Sequence, residues 1–331
     1  MIYDCSIEMT KYHNEKVRLS EDDQSKLRDY RDTNLTRLKN GLEKNDDPAY
    51  VKSISQGSYA MHTINQHPDN DYDIDVGIIF NREDLKGSHG GDKSALATRQ
   101  MVCNAMQDDR FNTPPKVLKN CVRVYYKEGY HVDMPVYRQY KDESGNIVQE
   151  LASSDWEESD PEAITDWFNH AVDDKSPDTA NGKQMRRVTR LIKKWTRSRS
   201  SWNMPSGFII SVLVDEKYIS KEGRDDEAFY ETLKAIRNRL ALNEQIYNPI
   251  NGDLISDGKE AQLQNMYNEL NKALNDTLNV LEKPDCSYEE AMRAWSKFFN
   301  DGFFNEQIKK STESQRGFES IGVMTKPWRS Y

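Results

Sequence analysis

The sequence predicts an α+β protein of two lobes: a mixed β-sheet lobe with helices, then a helical lobe, joined by a long spine helix. Three observations predict it. In the first half, apolar residues alternate with period two, as on strands whose successive side chains point to opposite faces. Beyond position 181 they recur at i, i+3, i+4 and i+7, the spacing of a buried helix stripe. Between the two lies Asp173–Gly182, DDKSPDTANG, the clearest structure-breaking run in the chain. The expected divisions are 1–180 for the sheet lobe with an N-terminal helix, 181–308 for the helical lobe and 309–331 for a polar, partly flexible tail. A chain of 331 residues is long enough for two cores.

Taken in order, Ser20 and Asp23 form an N-cap box for a helix carrying Leu27, Leu35, Leu38 and Leu42 on one side. Val51–Gln56 reads as a short strand, and Tyr59–Thr63 as the start of a helix. Ile74, Val76, Ile78 and Phe80 then alternate with Asp73, Asp75, Gly77 and Ile79, a strand with one apolar face. GSHGG, residues 87–91, reads as a mobile loop because no strand leads into it. A helix over 93–106 precedes strands over 117–126 and 130–137, and KDESGN, residues 141–146, has hairpin-turn chemistry. In the second half, PSGFIISVLV reads as a buried helix starting at Ser206, and Asn248-Pro249 with Asn251-Gly252 as a surface loop. Leu263, Met266, Leu270, Leu274 and Leu278 mark an amphipathic helix, and Ser287 with Glu290 a capping box before AMRAWSKFF.

The densest chemistry lies between Ser53 and Phe80. Period two places Asp73 and Asp75 on one face, and two convergent carboxylates repel unless a cation sits between them. Oxygen-only ligands suit Mg²⁺ or Mn²⁺. The plainer alternative is an edge strand with ordinary solvated acids. Upstream, Gly57 lets the backbone approach a ligand closely, and free N–H groups at a helix start attract phosphate. In YHVDMPVY, Tyr130, Val132, Met134 and Val136 make the apolar side of a strand and leave His131 and Asp133 on the other, a third carboxylate. His131 and His62 read better as packing or hydrogen-bonding residues than as bases.

The formal net charge is −9, which argues against broad nucleic-acid binding. Locally the balance inverts. RRVTRLIKKWTRSR, residues 186–199, carries seven basic residues in fourteen, with Val188, Leu191, Ile192 and Trp195 on one helix face and Arg190, Lys193, Lys194 and Arg197 on another. This stripe is either a solvated helix face or a grip for triphosphates. Cys5, Cys103, Cys121 and Cys286 are scattered, without the spacing of a zinc site. No apolar run spans a bilayer and the N-terminus has no apolar signal core, so a cytoplasmic protein without membrane contact is expected.

The Gly57-Ser58 turn, the Asp73-Ile74-Asp75 strand and the distal Asp133 together resemble the nucleotidyltransferase superfamily of DNA polymerase beta. QGSYAMHT, NDYDIDVG and HVDMPVYR look like the catalytic segments of its cGAS/DncV-like branch, the bacterial CD-NTases. KVRLSEDDQSKLRDYR, WEESDPEAITDWF, RLIKKW with PSGFIIS, and AWSKFFNDGFF fall in that family's order, so the resemblance covers nearly the whole chain. It implies a polymerase beta-like core and an enzyme that links nucleoside triphosphates, ATP and GTP, into a cyclic di- or trinucleotide, purine-containing such as cGAMP. It implies Asp73, Asp75 and Asp133 as catalytic, metal-binding carboxylates for two Mg²⁺ ions, with Mn²⁺ able to substitute. It also implies Gln56, Gly57, Ser58, Lys193 and Ser206 as nucleotide-binding residues, with Lys194 one position away from Lys193. The product would act on an effector that kills or arrests a phage-infected cell (the CBASS systems), with that system's accessory proteins as further partners. A template-independent transferase acting on RNA or protein, and a non-catalytic nucleotide binder, are the alternatives.

Overall fold

Helix α1 (Ser6–Tyr12) shows how the chain is partitioned in the computed structural model, described over residues 1–67, 72–87 and 90–322. The backbone N–H of Cys5 donates to the fully buried Asp226 (2.8 Å). Tyr12 packs among Phe299, Phe303 and Phe304. Met1–Val17 therefore groups with the helical part, although the expected sheet lobe begins at residue 1. Two units result: Arg18–Asp174 with Asn248–Gly252, and Met1–Val17 with Lys175–Tyr247 and Asp253–Tyr331.

The first unit is built on a mixed sheet. Helix α2 (Glu21–Lys44) starts where Ser20 Oγ accepts from Asp23 N (3.0 Å). It is followed by β1 (Lys52–Gln56), the single-turn α3 (Gly57–Ala60), β2 (Asp73–Asn81) and α4 (Ala95–Ala105). Then come β3 (Pro115–Val117), β4 (Val122–Tyr125), β5 (His131–Met134), β6 (Val136–Lys141), β7 (Ile147–Ala152), β8 (Trp156–Glu158) and α5 (Pro161–Lys175). The strand order is β3-β4-β5-β2-β6-β7-β8, with β1 paired to β2. The expected strand over 130–137 is broken at Pro135, which has no N–H to give a ladder. Its carbonyl still accepts from Ile78 N (2.8 Å), so β5 and β6 both run parallel to β2. The expected strand over 117–126 is likewise two, β3 and β4, folded antiparallel.

Ile74, Val76, Ile78 and Phe80 pack with Leu27, Leu38 and Leu42 of α2, Met101 and Val102 of α4, and Val132 and Met134 of β5. Each fully buried side chain of this size contributes about 1.5–3 kcal/mol. That cost of reversal fixes the register of β2, because a one-residue slip would turn every aspartate into the core. The carboxylate face of the sheet is thereby set by its opposite face.

The second unit adds α6 (Gln184–Thr196), α7 (Gly207–Lys217), α8 (Asp225–Leu242), α9 (Glu260–Asp276), α10 (Tyr288–Phe299) and α11 (Phe303–Gly322). Trp195 of α6 stacks on Phe298 (5.3 Å), and Phe298 meets Phe229 edge-on (5.7 Å). Ser287 and Glu290 form a full capping box before α10. The expected polar tail is helical as far as Gly322; positions 323–331 lie outside the described residues. So do Ser88 and His89 of the expected mobile loop, whose ends are tied by Gly87 N donating to Gly91 O (2.7 Å). No helix among the described residues is long and apolar enough to cross a membrane.

Candidate active site

Strand pairing lines up the charged residues of the sheet unit in one row. Gln56 of β1 stands opposite Asp75 of β2, Asp75 opposite Asp133 of β5, Asp133 opposite Arg123 of β4, and Arg123 opposite Lys116 of β3. Asp73 pairs with His131 in the neighbouring row, next to Tyr125. Opposed side chains share a face, so all three aspartates rise from one side of adjacent strands.

Gly57 closes this row at one end. Its φ is +65°, and a Cβ there would stand 2.1 Å from Oδ2 of Asp75. Both facts demand glycine: the left-handed backbone and the carboxylate lying against it. Thr63 N donates to Ser58 O (2.7 Å), which holds the turn after α3. A single-turn helix has little dipole, so what the turn offers an anion is its backbone N–H groups.

The three carboxylates are not equivalent. Burial pushes Asp75 well above the usual carboxylate range, and the charges of Asp73 and Asp133 push it further. Burial also raises Asp133, but the neighbouring His131 imidazole and the hydrogen bonds from Arg123 outweigh it and hold its carboxyl below that range. Arg123 reaches Asp133 with both arms, Nε to Oδ1 and Nη2 to Oδ2, each at 2.6 Å. His131 Nδ1 lies 3.7 Å from Asp133 Oδ1, and the carboxylate raises the imidazole pKa despite burial. Among the described residues no three acidic, His or Cys side chains converge on one ion as they stand. A divalent cation beside Asp73 and Asp75 would relieve the repulsion that adds to the effect of burial on Asp75. Asp133 joins them only through an oxygen it shares with, or gives up from, Arg123.

In the helical unit the basic stripe is only partly solvated, with Lys194 half-buried and Arg197 exposed. Arg186, Arg187, Arg190 and Lys193 are all buried. Arg187 is spent on Asp225 and Asp178, and Arg190 contacts His13. Lys193 turns toward α7: its Nζ lies 3.5 Å from where a Cβ of Gly207 would stand. Ser206, beside it, caps α7, with Oγ accepting from Ile209 N (3.4 Å). Lys194 is partly exposed, and burial of its stem lowers its pKa. The structure therefore brings Lys193 and Ser206 together within their own unit.

Arg123 is absent from the sequence-derived site. Its signal was the pattern Val122-Arg123-Val124-Tyr125, which turns Arg123 to the carboxylate face, although its partner depends on the β4–β5 register.

Residues 51–137 match the family model described as cyclic GMP-AMP synthase DncV-like, nucleotidyltransferase domain. Over these residues the chain is similar to the DncV-like nucleotidyltransferases. A cyclic GMP-AMP synthase of Escherichia albertii is 26% identical over 221 residues, which are 64% of this chain and 47% of that protein. The chain thus spans about half the length of this curated relative. Vibrio cholerae DncV, solved with the linear intermediate 5′ pppA(3′,5′)pG, aligns at a TM-score of 0.68 and 16% identity, over 90% of this chain and 96% of that one. CdnC of E. coli MS115-1, solved with ATP, aligns at 0.64 and 17% identity, over 91% and 98%. These similarities give the two-lobed α+β nucleotidyltransferase fold that the sequence predicts.

Proposed function

We propose that this chain is a DncV-like nucleotidyltransferase that joins two nucleoside triphosphates, ATP and GTP, into a purine cyclic dinucleotide of the cGAMP type. The observation that carries it is the row of Asp73, Asp75 and Asp133 on adjacent strands with Gly57 pressed against Asp75. Vibrio cholerae DncV has been captured with a linear pppApG and with ATP and GTP, which supports a two-step route through a linear dinucleotide.

In this reading Asp73 and Asp75 hold a divalent ion, with Asp133 as the third carboxylate. A bound Mg²⁺ or Mn²⁺ would lower the pKa of the attacking ribose hydroxyl and neutralise charge on the triphosphate. The chain's own groups orient the nucleotide: backbone N–H groups at Gly57-Ser58, the side chain of Gln56, and Lys193 with Ser206 on the phosphates. A hydroxyl of one nucleotide bonds to the α-phosphorus of the other, the bond to the pyrophosphate breaks, and pyrophosphate leaves. The free hydroxyl of the linear product then attacks the remaining α-phosphorus, and a second pyrophosphate leaves as the ring closes. Positioning supplies most of the rate in such transfers, so no histidine base is required. The product would signal to an effector in anti-phage defence of the CBASS kind.

Incubation with all four labelled NTPs and Mg²⁺, followed by phosphatase, tests this. A small phosphatase-resistant product containing A and G is the expected outcome. Long phosphatase-sensitive chains, or dependence on added RNA, would overturn the cyclase reading.

A further inference from the structure

One side chain is missing from the carboxylate face of β2, which reads Asp73, Asp75, Gly77, Ile79. A Cβ on Gly77 would stand 2.7 Å from Oε1 of Gln56, 2.9 Å from Cγ1 of Ile54 and 3.0 Å from Cε2 of Tyr137. Real Cβ atoms do not approach neighbours that closely, so residue 77 must be glycine for those three side chains to stand as they do. Its backbone is otherwise ordinary strand, so the requirement is for space and not for an unusual φ.

Two groups use that space. Gln56 folds across β2 from β1, and Tyr137 enters from β6, where it is 2% exposed among Ile54, Ile79 and Leu151. The Tyr137 hydroxyl donates to Oε1 of Gln56 (3.2 Å). Burial, with a contribution from Asp75, pushes the phenol up to about 12, so it stays a donor at neutral pH. An amide is planar, with its oxygen and –NH₂ directed apart. Once the oxygen is fixed by Tyr137, the –NH₂ has a fixed direction too, and among the described residues Nε2 meets no acceptor. Gln56 is only half-buried and sits opposite Asp75 at the edge of the carboxylate row.

We propose that Gly77 and Tyr137 form a seat that fixes the Gln56 amide so that its –NH₂ is presented to a phosphate oxygen of the bound nucleoside triphosphate. This rests on the nucleotide-binding role of Gln56 in the function proposed above. Tyr137 is a positioning residue in it and touches no substrate.

The test uses the full chain, with affinity for α,β-methylene ATP and GTP measured by titration calorimetry alongside steady-state kinetics. Tyr137→Phe should weaken binding and raise KM about five- to tenfold, the loss of one aimed hydrogen bond, with the effect in KM and not in kcat. Gln56→Ala should weaken binding at least as much. The double variant should be no weaker than Gln56→Ala, because Tyr137 acts only through Gln56. Gln56→Glu keeps an acceptor for Tyr137 but replaces the donor with an anion, and should bind worse than Gln56→Ala. Multiplying losses in the double variant would overturn the seat, since Tyr137 would then act independently. So would wild-type affinity in Gln56→Glu, or in Tyr137→Phe while Gln56→Ala is weakened. If Gln56→Ala binds normally while Asp75→Asn still abolishes turnover, the nucleotide contact of Gln56 itself is wrong and the proposal falls with it.

Discussion

The sheet unit and the helical unit each concentrate charge of one sign, and they treat it in opposite ways. On α6 Arg187 is matched: it is buried with Asp225 at 2.5 Å and Asp178 at 2.7 Å. On β2 the acids are not matched. Asp75 is buried beside Asp73 and Asp133, and burial first and their charges second move its pKa up. Of the three aspartates, among the described residues, only Asp133 has a cation of its own, Arg123. A like-charge cluster that folding could have neutralised and did not is better explained by a ligand than by stability. A buried pair that is fully satisfied is explained by the fold alone.

The largest expected effect follows on the uncompensated side. Asp75→Asn or Asp73→Asn keeps size and removes a charge, and should lower turnover by about a thousandfold or more. The metal-free Asp75→Asn protein should melt higher than wild type, because the repulsion is gone. Turnover within about tenfold of wild type in both variants would remove the aspartates from the chemistry.

On the compensated side the effect should fall on stability. Arg187→Ala leaves Asp225 buried without its guanidinium and should cost about 3–5 kcal/mol in denaturant unfolding. Arg187→Lys should rescue little, since Arg187 uses Nε and Nη2 on Asp225 together, and Nη2 again on Asp178. Unchanged unfolding with weakened nucleotide binding would reverse the assignment and make Arg187 a ligand contact.

How much of this was legible in the sequence follows the same division. The two faces of β2 could be read directly, because alternation is local and the turn at Gly57 is local. The break at Pro135 was legible in principle, since proline cannot join a ladder, yet an apolar alternation running through it masked it. The clamp of Arg123 on Asp133 was not legible, for it depends on which residues of β4 and β5 stand opposite. The stripe on α6 stayed ambiguous because its partners lie far off: Asp225 is contributed by another helix. Phe229, Leu233, Ile236 and Leu240 of α8 form an apolar stripe as regular as that of α9, and only its charged flanks made it less conspicuous.

A smaller effect separates the two lysines. Lys193→Ala should raise the KM for NTPs about tenfold, and less for monophosphates, since an ammonium acts mainly on the β- and γ-phosphates. Lys194→Ala should change it by less than about twofold. A larger effect at Lys194 would move the phosphate contact by one residue. Negligible effects at both would leave the buried lysine a packing group.

The last effect is a pH dependence on the compensated side. His13 is fully buried, with Nδ1 against Asn14 Oδ1 (3.1 Å) and Nε2 against Arg190 Nη1 (3.3 Å). Burial first, and the Arg190 charge second, pull its pKa from 6.5 down to about 4. A group depressed in the folded state contributes stability that is fully present above its unfolded pKa and lost as pH falls through the folded one. Wild type should therefore lose on the order of 2–3 kcal/mol as pH falls from 6.5 to 4 on account of His13. His13→Gln can still accept from Arg190 and does not titrate, so its unfolding free energy should be flatter over that window. Parallel pH profiles for the two proteins would mean that the imidazole is not held neutral beside Arg190. The contrast between a matched α6 and an unmatched β2 would then lose one of its supports.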